Sequence, residues 1–220
     1  MNPLNFININ LTELLIRVPV LLIAFSIHEL FHGLAAYMLG DSTAKNDGRL
    51  SLNPLRHIDP LGFLCVIFFR FGWAKPVMVD PNNLKNPKWD FAVISVAGPL
   101  SNLLMAFIAV MILIPLSYFG YITHGSYILA VFHEFIWLNI VLAVFNMLPI
   151  PPLDGSKFFT VWLPDGLYYA FQNVFSRFGF FVLILMMWMG VTADIILPII
   201  RAVFGGMFEV AGNIYGVLLN

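Results

Sequence analysis

The chain has 220 residues, 60% of them hydrophobic and 10% charged, whereas soluble domains average about 45–50% apolar and about 25% charged. Eleven basic and twelve acidic residues are too few to cover a soluble domain of this size, so lipid is predicted to be the outer solvent. A net charge of −1 offers nothing to nucleic acid, and the single cysteine, Cys65, excludes an internal disulfide and any cysteine-rich zinc module.

The amino terminus, Met1-Asn2-Pro3-Leu4-Asn5, lacks a basic leader region, and no small-residue cleavage site follows the first apolar run. That run is therefore expected to stay in the mature protein. It extends from Leu11 to Leu39, is interrupted by Arg17, His28, Glu29 and His32, and ends at Gly40-Asp41. Its length suffices to cross about 30 Å of hydrocarbon with tilt. Residues 41 to 90 are more polar, with turn signals at Asn53-Pro54, Asp59-Pro60, Asp80-Pro81 and Asn86-Pro87. Inside this connection Leu61 to Phe71 is apolar but too short to span, and its Phe, Ile and Val content predicts a re-entrant or strand-like element covered by protein.

Phe91 to Phe119 is the second expected span and Ile128 to Ile150 the third, broken by Pro149-Ile150-Pro151-Pro152. After a turn at Leu153-Asp154-Gly155, the aromatic stretch Phe158 to Phe175 reads as interfacial and Phe178 to Ile200 as a fourth span. Arg201 to Asn220 is either a short fifth helix or a second interfacial one. No repeat or flexible linker interrupts the chain. The expected fold is a single domain over residues 1–220, an all-α polytopic membrane protein with about four to six transmembrane helices. A small membrane-associated β or re-entrant element is expected between the first and second spans. Seven of the eleven Lys and Arg residues lie between positions 41 and 90, which predicts a cytoplasmic loop there and an external amino terminus.

The segment His28-Glu29-Leu30-Phe31-His32 places two histidines one helical turn apart, so both imidazoles can reach one ion, with Glu29 on the same side. Two imidazoles and a carboxylate at this spacing suit zinc, which needs a third protein ligand and keeps one position for water. A neighbouring glutamate is then placed to act as general base. Such a five-residue pattern often arises by chance, but three ionisable side chains within a spanning helix are costly unless something neutralises them. Candidates for the third ligand are His57, Asp59, His124, His133, Glu134, Asp154, Asp194 and Glu209. Asp154 stands out because the prolines before it let the chain bend back toward another helix.

Three elements together resemble the site-2 proteases: His28-Glu29-Leu30-Phe31-His32 followed by Gly33, Ala97-Gly98-Pro99-Leu100-Ser101-Asn102, and Asn146-Met147-Leu148-Pro149-Ile150-Pro151-Pro152-Leu153-Asp154-Gly155. The resemblance covers most of the chain and is to compact members, without a PDZ insertion or nucleotide-sensing domain. It implies an intramembrane zinc metalloprotease that cleaves membrane-protein substrates in or beside their transmembrane segments. It further implies one zinc ion on His28, His32 and Asp154, and Glu29 as catalytic base. Gly72-Trp73-Ala74-Lys75-Pro76-Val77 is similar to a membrane-associated β-hairpin of such enzymes, which suggests pairing with an unwound substrate. Its plainer reading is an interfacial loop anchored by Trp73 and Lys75.

Asn146 is a candidate catalytic-site residue, since a carboxamide can bond a substrate carbonyl or a developing oxyanion. Asn102 is expected to fasten helices together, with Gly98 allowing close approach. His57 and Asp59 read as an interfacial turn, and His133-Glu134 as non-ligating. The competing functions are a membrane ion or zinc transporter, and an inactive relative that binds membrane clients; no half-repeat or series of polar positions supports the first. The expected location is a cell membrane of prokaryotic type, with the site toward the cytoplasmic side. The sequence leaves the oligomeric state open.

Overall fold

The computed structural model describes residues 11–69 and 72–218. The amino-terminal residues argued above to carry no leader, together with Phe71 and Asn220, lie outside that range. The order of helices is α1 (Leu11–Met38), α2 (Thr43–Asn46), α3 (Pro60–Phe69), α4 (Pro87–Tyr118), α5 (Tyr127–Asn146), α6 (Asp154–Thr160), α7 (Asp165–Trp188) and α8 (Val191–Leu218). Four segments are long and apolar enough to cross a bilayer: Leu11–Met38, Pro87–Tyr118, Tyr127–Asn146 and Asp194–Val217. A fifth is available if α7, bent by 73° between Asp165–Asn173 and Phe178–Met186, counts as one broken span. Large apolar side chains such as Leu15, Ile23, Leu104 and Ile112 face outward, as they do when lipid replaces water as solvent. The chain is a multi-pass, all-α membrane protein.

Helices α1, α4 and α5 pack against one another, and α8 closes the far side of α4 and α5. Small residues set these contacts: Ala106, Ala109, Ala143 and Ala211 are buried, allowing the close backbone approach that membrane helices use in place of a hydrophobic driving force. The main apolar cluster joins Val110 and Leu113 of α4 to Ile136 and Ile140 of α5 and Ile196 and Ile200 of α8. A polar tie joins α1 to α5. Arg17 Nε bonds Glu134 Oε1 at 2.6 Å, and its guanidinium also meets Glu13 at 3.1 Å. That pair accounts for Glu134, in keeping with its reading as non-ligating.

Three sequence expectations need correction. The segment Leu61 to Phe71 is not strand-like: through Phe69 it is α3, and among the described residues there is no β-strand, only one antiparallel bridge between Ile58 and Ala74. A lone strand would leave its amides unpaired in lipid, whereas a helix satisfies its own. Asp59 starts that helix by accepting from Gly62 N at 2.8 Å, with Pro60 in its first turn. The second correction concerns the carboxyl-terminal third, where the expected span Phe178 to Ile200 straddles a break. Gly190 (φ +76°) separates α7 from α8, which absorbs the Arg201 tail into one long helix. Correspondingly, the interfacial stretch 158–175 is shared between α6 and the first half of α7. Last, Asp154-Gly155 is the first turn of α6 rather than a turn between elements.

Candidate metal centre

One face of α4 shapes the site. Ile94, Gly98 and Asn102 recur at four-residue spacing, so they line up on the side turned toward α1. A Cβ on Gly98 would come within 2.4 Å of His32 Nε2 and 2.7 Å of His28 Cε1, so both imidazoles lie in space that only glycine leaves open. Above and below that gap, α4 holds the ring nitrogens facing away from the centre. His28 Nδ1 lies 2.6 Å from Asn102 Oδ1, and His32 Nδ1 lies 2.7 Å from the Ile94 carbonyl oxygen. Both partners are acceptors, so each Nδ1 carries the proton and each Nε2 presents a lone pair.

Those two lone pairs converge on a carboxylate. Nε2 of His28 and of His32 are 3.0 Å apart, and Asp154 Oδ2 lies 3.2 Å and 3.1 Å from them. Asp154 is brought there by the end of α5 and the following turn. Gly155 sits so close to the carbonyls of Met147 and Leu148 that a Cβ would lie 2.3 Å and 2.6 Å from them. Three acceptors at this separation, with both histidines buried, repel one another unless a cation lies between them. The donor set fits zinc: bonds of about 2.0–2.1 Å in a tetrahedron put ligand atoms roughly 3.3 Å apart. Among the described residues His28, His32 and Asp154 are the group of His, Cys, Asp or Glu side chains arranged to hold a metal ion.

A cleft of about 660 Å³ opens beside this group, lined by Glu29, Ser95, Asn146, Lys157 and the segment 72–79 among others. Glu29, on the same turn of α1 as the histidines, accepts from Val77 N at 2.9 Å through Oε2. Asn146 faces the cleft from the end of α5, and its Nδ2 donates to Leu142 O at 2.9 Å. Phe180 and Leu183 of α7 also line the cleft, with Trp73 packed edge-on against Phe180 at 6.3 Å.

Segment 72–80 runs as extended chain across the cleft, fastened at three points. Lys75 N donates to His57 O (2.8 Å), Val77 N to Glu29 Oε2 (2.9 Å) and Asp80 N to Asp41 Oδ2 (2.9 Å). Sequence reasoning missed all three fastenings, because a backbone N–H leaves no mark in the residue string. His57 belongs to the fastening rather than to the metal group: it is 2% exposed and donates through Nε2 to Ser51 O at 2.8 Å. Asn102 does join helices as expected, through Ala24 O and Asn139. Its contact with His28 was legible only as the four-residue spacing from Gly98.

The chain matches known proteins over nearly all of this architecture. It is 34% identical over 205 residues to "Putative zinc metalloprotease YwhC" of Bacillus subtilis (strain 168), covering 92% of this chain and 93% of that protein. Over 143 residues it is 29% identical to "Putative zinc metalloprotease Rip2" of Mycolicibacterium smegmatis, covering 61% of this chain and 52% of that one. Residues 120–187 match the model of peptidase family M50. No solved structure matches. With the Bacillus subtilis relative matched over more than nine-tenths of both chains and a family match over the segment that carries Asp154, the chain is a member of peptidase family M50, the site-2 proteases.

Proposed function

We propose that the protein is an intramembrane zinc endopeptidase that hydrolyses peptide bonds within or next to the transmembrane segments of other membrane proteins. The observation that carries this reading is the convergence of His28 Nε2, His32 Nε2 and Asp154 Oδ2 within 3.2 Å, three acceptors that call for a cation. His28, His32 and Asp154 would hold one zinc ion, which when bound supplies Lewis-acid polarisation of a peptide carbonyl and acidifies a water. Glu29 is the general base. Its Oε2 is occupied by Val77 N–H, so Oε1 takes the proton and returns it to the leaving amine. The second Nδ2 hydrogen of Asn146 is available to a substrate carbonyl. The extended segment 72–80 supports a substrate unwound alongside it, since a helical peptide hides its carbonyls from attack.

The four spans and the family support one membrane domain acting on protein substrates in a bilayer. The basic 41–90 loop supports a site in the cytoplasmic half of a prokaryotic cell membrane, with water entering from that side. Cleavage of a panel of single-span substrates in detergent tests the assignment. Glu29→Gln is expected to keep stoichiometric zinc and to lose about 100-fold or more of the cleavage rate. Cleavage at the wild-type rate would overturn Glu29 as base, and zinc flux in liposomes without cleavage would make the protein a transporter. Asp154→Ala is expected to lose zinc; unchanged zinc affinity would remove Asp154 from the ligand set.

A further inference from the structure

Two carboxamides lie at the junction of α1, α4 and α5, and both are fully buried: Asn102 and Asn139 are each 0% exposed. Burying such groups in an apolar interior is costly unless every polar atom is paired. Holding helices together would need only one such pair. The order of donors and acceptors in this junction does more than cohesion requires.

The order is fixed from one end. Asn139 Nδ2 lies 2.8 Å from Phe135 O, and a backbone carbonyl only accepts, so the amide nitrogen of Asn139 must point there. Asn139 Oδ1 is thereby turned toward Asn102, whose Nδ2 donates to it at 2.9 Å and also reaches Ala24 O at 3.3 Å. Asn102 Oδ1 is left facing His28 Nδ1 at 2.6 Å. Reversing either amide would set oxygen against oxygen, so the sense of the chain does not depend on how the amides were placed. A relay of fixed direction thus runs from a main-chain carbonyl of α5 through two carboxamides to the imidazole.

We propose that Asn102, with its amide oriented by Asn139, is a positioning residue. It fixes the protonated Nδ1 tautomer and the ring plane of His28 so that Nε2 faces the metal. The inference rests on the proposed zinc reading of His28, His32 and Asp154. His32 obtains the same service from a backbone carbonyl, Ile94 O, which no substitution removes. His28 depends on a side chain, and its partner is open to mutation. Removing an outer hydrogen-bond partner of a metal-bound histidine typically weakens metal affinity by about 10–100-fold.

The test is zinc affinity of the full-length protein in detergent, by competition with a chromophoric chelator, alongside the visible spectrum of the cobalt-loaded form. Asn102→Ala is expected to lose zinc affinity by about 10–100-fold and to change the cobalt spectrum. Asn102→Asp keeps an acceptor for His28 and, as the neutral acid, can still donate its one O–H to Asn139 Oδ1 in place of the amide, so zinc affinity should return to within a few-fold of wild type. Asn139→Ala, which frees the Asn102 amide to rotate, should fall between the two. Melting of the metal-free forms reports cohesion separately. If Asn102→Asp loses as much zinc affinity as Asn102→Ala, or if Asn102→Ala binds zinc like wild type, the positioning role is wrong and the zinc site stands. A wild-type protein that binds no zinc overturns the underlying reading instead.

Discussion

The two walls of the cleft are built on opposite plans. The α4 wall is helix that continues through Pro99, and it places each group by four-residue spacing: a carbonyl at Ile94, a gap at Gly98 and a carboxamide at Asn102. The facing wall is extended chain, 72–80, held through three backbone N–H groups to His57, Glu29 and Asp41. A helix that satisfies its own amides can present side chains rigidly at membrane depth, whereas extended backbone there must borrow partners from its surroundings. The first plan suits a metal, whose ligands tolerate little displacement. The second leaves backbone exposed to a guest peptide, at the cost of relying on a few anchors.

The sharpest way to break this comparison is Gly98→Ala. Alanine favours a helix interior over glycine by about 1 kcal/mol, a gain offset here by the crowding of a Cβ against Pro99, which follows inside α4, so α4 should keep its helix. The added methyl would nevertheless stand 2.4 Å from His32 Nε2, and neither imidazole can retreat without giving up its Nδ1 bond to α4 itself. The expected outcome is a folded protein with unchanged helix content that has lost zinc beyond the roughly 100-fold typical of outer-partner changes. Metal analysis after purification and circular dichroism check it; a zinc-replete Gly98→Ala protein would show that the α4 wall yields.

Next in size is Val77→Pro, aimed at the other wall. Proline removes the N–H that Glu29 Oε2 accepts, along with the valine side chain, and is compatible with extended chain. Cleavage rate is expected to fall by about 10–100-fold, an effect on general-base placement, while zinc content stays at wild type. Val77→Ala, which keeps the N–H, should retain most activity. Equal loss in both variants would assign the effect to side-chain packing rather than to the base.

The unequal legibility of the two walls follows from their chemistry. His28, Glu29 and His32 stand out in the sequence because ionisable groups in apolar segments are costly, whereas Asp154 is one of eight candidates, favoured by the prolines before it and by the family resemblance. Gly98 looked like ordinary helix packing, since a glycine does not announce which side chains occupy the space it leaves. Ile94 could not be found, because its contribution is a main-chain oxygen. The misreading of Leu61 to Phe71 has the same root: a short run without polar alternation fits helix and strand alike. What decided for helix was the lack of a partner strand to satisfy its amides. Further along, apolar residues run on both sides of Gly190, so hydrophobicity alone could not show where α7 stops and α8 begins.

The smallest expected effect lies at the anchor farthest from the metal. Gly40, at φ +111°, ends α1, and Asp41 follows it, fully buried. Burial by itself would raise the Asp41 carboxyl. Bonds from Thr43 Oγ1 (2.6 Å), Asn83 Nδ2 (2.8 Å), Thr43 N (3.0 Å) and Asp80 N (2.9 Å) outweigh that and hold it below the ordinary value of 3.8. A depressed folded-state value means that the stabilisation is complete above the unfolded carboxylate's value. It is then lost as pH falls through the folded one. Melting temperature in detergent should therefore decline as pH is lowered below about 4. Asp41→Asn keeps one acceptor oxygen and removes the charge, so it should cost about 1–2 kcal/mol at neutral pH and flatten that decline. Because Asp41 holds only the far end of segment 72–80, zinc affinity should not change. An Asp41→Asn protein with the wild-type acid slope would mean that the carboxylate is not what fastens the second wall.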